Sequence, residues 1–184
     1  MPAGTAAEAT AVAATDAPMH HAAHYRPILD FLAAIGIAVA ETPLPADGFL
    51  SGILIRDGGL LVDPDRLQWP GDLLHEAGHL AVLPPTLRAR ASDDLADEQD
   101  VAHAGEQEAM AWAWAAVQAI GLPPEVLMHE GGYHGQSAAV LQMYAVGIVP
   151  GLRGLCETGM TAARGFTPDP GEMQYPRMLR WLRE

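Results

Sequence analysis

His75-Glu76-Ala77-Gly78-His79 joins two imidazoles and a carboxylate within five consecutive residues. On a helix, residues four apart lie on one face, one turn above each other, so both rings can reach a single ion. Two neutral imidazole nitrogens at that spacing suit the short bonds of a tetrahedral zinc ion. Glu76 is rotated off the ligand line by one residue, where it can deprotonate a water on the open side of the ion. Gly78 has no side chain and lets another element approach this helix closely. Two ligands and a base on two turns point to metal-assisted hydrolysis.

A closed catalytic site needs a third protein ligand. The best candidate is Glu106, at the head of Glu106-Gln107-Glu108-Ala109-Met110-Ala111-Trp112-Ala113. Residues 80–105 leave room for one loop and a return, so a carboxylate from an antiparallel neighbour can meet the histidine pair from the side. His103, three residues before Glu106 and read on the same helix face, competes for the place. Glu108 points elsewhere, about 200° around the helix from Glu106.

The elements that hold these residues follow from pattern. Tyr25 to about Ala34 carries apolar residues at helical spacing, with Gly36 as a stop, and Ile37–Ala40 reads as a short strand. Phe49–Arg56 and Leu60–Asp63 flank Asp57-Gly58-Gly59, which predicts a β-hairpin. Pro70 and Gly71 open the motif helix, Asp72 in its first turn complements the helix dipole, and Pro84-Pro85 ends it. Residues 86–101 are polar and acidic and read as a surface loop. A long helix from about Ala102 to Ile120 follows, closed by Gly121 and Pro123. Further helical segments are expected near 124–130, 136–147 and 150–163, and the final YPRMLRWLRE is expected to pack back on the body. Residues 1–19 are small, low in complexity and read as a flexible tail. The whole predicts an α+β class: one mostly helical, zincin-like domain over 20–184 with a small sheet before the motif helix.

At these residues a family resemblance appears. HEAGH followed by EQEAMAWAWAA resembles the ImmA/IrrE family of zinc metallopeptidases, over about Phe49 to Ile120. In that family the first Glu of the second motif completes the metal site, which the resemblance carries to Glu106; Ala109, Trp112 and Ala113 also fit. Met110 departs from the pattern, standing where the family has Asn or a similar polar residue, so a hydrogen bond to a ligand is either missing or supplied from elsewhere. The resemblance implies Zn2+ as cofactor and a protein or peptide substrate, with regulatory repressors among the family's substrates. Residues 121–184 form a C-terminal part outside the match. HEAGH is also similar to FtsH-type peptidases, whose third ligand is a distant Asp. The downstream helices offer no suitable Asp, Glu157 being the substitute, and the hairpin before the motif argues against that reading.

An oxyanion at the attacked carbonyl needs a stabilising donor. Tyr133 and His134, in the glycine-flanked EGGYHGQ, are the candidates, ahead of His129 and Arg153. Trp69, Trp112, Trp114 and Trp181 read as core, and Cys156 as an inert buried thiol. His20, His21 and His24 read as a solvated cluster at a helix entry rather than a metal site.

Composition narrows the classes further. A net charge of −13, with all ten basic residues Arg, repels phosphate backbones and argues against direct nucleic-acid binding. A hydrophobic content of 49% argues against global disorder, and no stretch reaches the ~18–20 apolar residues of a membrane span. One cysteine and no secretory signal lead to an expected cytoplasmic location. A zinc-dependent peptidase or amide hydrolase is the first expectation. The alternative is a regulatory binding protein that keeps the scaffold without proteolysis.

Overall fold

The computed structural model describes residues 19–45, 52–93, 101–169 and 171–184. The tail expected over 1–19 lies almost wholly outside these residues, as do the start of the first hairpin strand and residues 94–100 of the acidic loop.

A 3-10 turn at Ala22–His24 leads into helix α1 (Tyr25–Ile35), which buries Ile28 and Leu32 one turn apart. Gly36, at φ 89°, ends α1 in the left-handed conformation, and the Ile37 amide donates back to the Leu32 carbonyl at 3.0 Å. Three short strands follow: β1 (Val39–Glu41), β2 (Ile53–Arg56) and β3 (Gly59–Val62). The expected hairpin is β2–β3, antiparallel with Arg56 opposite Gly59. Its two connecting residues, Asp57 and Gly58, both have positive φ, the requirement of a type I′ turn. β1 lies parallel to β3 on the other side, giving the order β1-β3-β2.

Helix α2 (Asp72–Val82) carries the HEAGH segment and buries Leu73, Leu74, Ala77, Leu80 and Ala81. A short helix α3 (Pro85–Arg88) follows Pro84, inside the stretch expected as loop. Helix α4 (Glu106–Ile120) is the centre of the domain, buried continuously from Ala109 to Val117. It begins four residues later than the pattern of apolar residues suggests. His103 adopts a left-handed backbone, φ 59°, and Gly105 is extended, so neither can continue a helix.

The α2–α4 contact is unusually close at one point. A Cβ built on Gly78 would lie 2.5 Å from the Ala109 carbonyl oxygen. No methyl group fits there, so the two helices can approach backbone to backbone only with glycine at 78.

Of the later helical expectations, 124–130 is a single 3-10 turn (Pro124–Val126), 136–147 is helix α5 (Ser137–Ala145), and 150–163 shortens to α6 (Leu152–Glu157). The C-terminal stretch packs back without forming a helix. Trp112 Nε1 donates to the Trp181 carbonyl at 2.8 Å, the Arg183 amide donates to the Ala81 carbonyl at 2.9 Å, and Arg88 Nη2 donates to the Arg183 carbonyl at 2.9 Å. The fold is thus an α+β domain whose helices dominate and whose small sheet precedes α2.

Candidate metal centre

Helix periodicity places His75 and His79 on the same side of α2, with ring centroids 4.9 Å apart. The close passage at Gly78 then brings the first residue of α4 against them. Glu106 Oε1 lies 2.9 Å from His75 Nε2, its Oε2 lies 3.2 Å from His79 Nε2, and the two Nε2 atoms are 3.2 Å apart. Among the described residues these three form the one group whose donor atoms converge in the manner of a cation site, all within 4.8 Å.

Elementary geometry tests whether zinc fits. Bonds of about 2.0–2.1 Å to a tetrahedral ion put neighbouring donors about 3.3–3.4 Å apart. The three observed separations approach that edge length, and two imidazoles with a carboxylate are the donor set of a catalytic rather than a closed structural site. The Glu106 side chain is 64% exposed and the imidazoles are 24% and 31% exposed, so one side of the group is open to solvent.

The electrostatics follow from this packing. Hydrogen bonds from His75 and His79 hold the Glu106 carboxyl far below the usual carboxylate range. Burial works against a charge on His75, but the hydrogen bond and charge of Glu106 outweigh it and raise its pKa. Glu76 is half-buried on α2, and burial raises its carboxyl above the ordinary value despite the nearby imidazoles. A carboxylate moved in that direction is a stronger proton acceptor. Asp93 and Asp72 push Glu76 the same way. Asp93 is tied to the sheet edge, accepting the Ile55 amide at 3.2 Å, while Ser92 Oγ accepts the Asp57 amide at 3.1 Å.

The competing ligand does not reach the group. Because His103 precedes α4 in a left-handed turn, its ring swings away, with Nε2 2.8 Å from Glu157 Oε2. Glu157 is thereby occupied as well. Glu108 faces Gly154 of α6, away from the imidazoles. Tyr133 lies over α4 with its hydroxyl 3.4 Å from both Met110 Sδ and the Leu127 carbonyl. Its neighbour His134 is exposed, and no hydrogen bond or ion pair joins it to the three donors.

Two features escape sequence reasoning. His129 is buried, accepts or donates at 2.8 Å with Asp72 Oδ1, and stacks on Trp69 with centroids 4.4 Å apart and planes 7° from parallel. His20 covers the opposite face of Trp69 at 4.1 Å. Tyr144, on α5, packs on Trp114 of α4 with centroids 5.3 Å apart. Both contacts join distant parts of the chain; the sequence marks His129 only as a weaker oxyanion candidate and does not single out Tyr144.

Comparison of the chain with protein-family models, with curated proteins and with solved structures finds no match. Among the described residues no helix is long and apolar enough to cross a membrane.

Proposed function

We propose that this chain is a zinc-dependent peptidase or amide hydrolase, with His75, His79 and Glu106 as the ligands and Glu76 as the general base. What supports the reading most is the convergence of His75 Nε2, His79 Nε2 and the Glu106 carboxylate, with Glu76 half-buried one residue along α2. The resemblance of HEAGH and EQEAMAWAWAA to the ImmA/IrrE family points the same way, and suggests a protein or peptide substrate.

Zinc, when bound, polarises a carbonyl and lowers the pKa of water beside it. The chain supplies the rest. Glu76 takes the proton from the attacking water and hands it to the departing amine, a task suited to a carboxylate whose pKa is raised by burial. The α2–α4 contact at Gly78 fixes the distance between the two imidazoles and Glu106, so no loop must close to assemble the donors.

The test is turnover of unstructured peptides by the zinc-loaded chain and by Glu76→Gln. The variant should keep its zinc and lose about 10²- to 10⁴-fold in kcat, the usual contribution of a positioned base. Equal turnover in the two proteins would contradict the mechanism. A second reading, a binding protein without proteolysis, draws on Met110, which sets a thioether where the family has a polar residue. It expects zinc binding by the wild type with no cleavage of any peptide.

A further inference from the structure

Of the three donors, Glu106 has the least support from its own helix. His75 and His79 sit within α2, whereas Glu106 is the first residue of α4, with a side chain 64% exposed. Helix starts carry free amides and fray unless something satisfies and holds them. Here the N-cap is Gly105, which has no side chain to offer, and among the described residues no side chain caps this end. The Gly78 contact falls at Ala109, three residues further on. The turn between needs another hold.

That hold comes from α6. A Cβ on Gly151, the N-cap of α6, would fall on the Gln107 carbonyl and the Glu108 amide nitrogen, so the two backbones touch there. Gly151 also has φ 83°, a conformation that glycine adopts without steric cost. Three residues on, Gly154 leaves the space that the Glu108 carboxylate fills. Residues 107, 108 and 109 are thus gripped in succession, the first two by α6 and the third by α2. His103 closes the grip from the other side of Glu106. Its Nε2 lies 2.8 Å from Glu157 Oε2 at the end of α6, and its Nδ1 lies 3.8 Å from Glu108 Oε1. The backbone of His103 is left-handed, φ 59°, a conformation that a non-glycine residue keeps only where its surroundings hold it.

We propose that α6 serves the metal centre by holding the ligand-bearing turn, with His103 and Glu157 as positioning residues for Glu106. Neither is a ligand. Their contact fastens residues 103–108 to α6, and so fixes where the Glu106 carboxylate meets the two imidazoles. The inference rests on the metal-centre half of the reading above and does not depend on peptide cleavage.

Two variants break the contact from opposite sides. His103→Asn keeps a residue that tolerates the left-handed backbone but is too short to span to Glu157. Glu157→Ala removes the partner at the last residue of α6 and leaves a good helix former there. Zinc affinity of the full chain, measured by calorimetric titration well below melting, should fall about tenfold in each, the low end for losing a group behind a ligand. The double variant should fall no further than either single one, since both lose the same contact. A merely structural contact would lower the melting temperature of the metal-free protein and leave the affinity of its folded form alone. Hydrogen exchange in the metal-free protein adds a local readout. The Ala109 amide, bonded to the Gly105 carbonyl at 3.1 Å, should exchange faster in both variants, while the amides of 113–117 exchange as in the wild type. Wild-type zinc affinity in either variant, or faster exchange all along α4, would overturn this inference and leave the hydrolase reading standing. A wild type that binds no zinc would overturn the metal-centre reading, and this inference with it.

Discussion

Helix α2 has a histidine cluster at each end of its influence, and the two are built on opposite principles. At His75 and His79 the rings are tilted, half-exposed and turn their Nε2 atoms toward a common carboxylate. At His20 and His129 the rings lie flat on the two faces of Trp69, and His129 Nε2 lies 2.8 Å from Asp72 Oδ1. The first cluster exposes nitrogen lone pairs to a shared point. The second spends its rings on stacking and leaves His129 Nδ1 buried and, among the described residues, unpartnered. Identical side chains thus form a candidate ligand set or a packing layer according to which atoms they direct inward.

That contrast can be broken by substitution. The largest expected effect is on metal affinity in His79→Ala, which should weaken zinc binding beyond the 10–100-fold typical of losing an outer partner. Elemental analysis of purified protein checks this; an unchanged zinc content would remove the distinction between the clusters. His129→Ala should do the reverse, retaining zinc while losing about 1–3 kcal/mol of stability, because Asp72 loses its partner and Trp69 one stacked face. A thermal melt with parallel zinc analysis separates the two outcomes.

Gly78→Ala probes what brings the first cluster together. The added methyl has no room beside the Ala109 carbonyl, so α2 and α4 must part, at a cost of about 1–3 kcal/mol. Zinc affinity should fall along with stability, since Glu106 rides on α4. Retained affinity in a destabilised variant would mean that the helix contact does not set the donor distances.

The smallest effect, and the sharpest in sign, is pH dependence. His75 has a raised pKa, so its ion pair stabilises the metal-free fold below its ordinary value of 6.5 and the benefit fades as pH rises through the shifted value. Glu106 has a depressed pKa, so its contribution is present above its ordinary 4.5 and is lost only in stronger acid. The metal-free pair is therefore strongest between those two values. Zinc needs both imidazoles neutral. The rise in melting temperature on adding zinc should be small near pH 5 and grow toward pH 8; a constant increment would show that zinc binds away from these residues.

Much of this was legible in the sequence where the signal is local. Asp57-Gly58 fixed the hairpin because few residues tolerate two consecutive left-handed conformations. Gly36 and Pro84-Pro85 ended their helices for equally local reasons. HEAGH gave the two imidazoles through helix period alone, and Glu106 through chemistry and facing. The start of α4 was not legible, because a left-handed His103 carries a weak sequence signal, and that single turn decides against His103 as a ligand. Nor were the contacts of Asp72 with His129, or of Trp114 with Tyr144, since they are made by tertiary packing across long stretches of chain. The C-terminal stretch shows the same limit. Its contact with the body was expected, but its carbonyl and arginine bonds to α2, α3 and α4 follow no period.

X-ray absorption at the zinc edge of the loaded full chain tests the central claim most directly, because it counts imidazoles around the metal. The expected result is two imidazole nitrogens with oxygen donors completing the shell. Three or more imidazoles would contradict the account, by assigning the metal to the histidines at 20, 21 and 24 or to a set that draws on them.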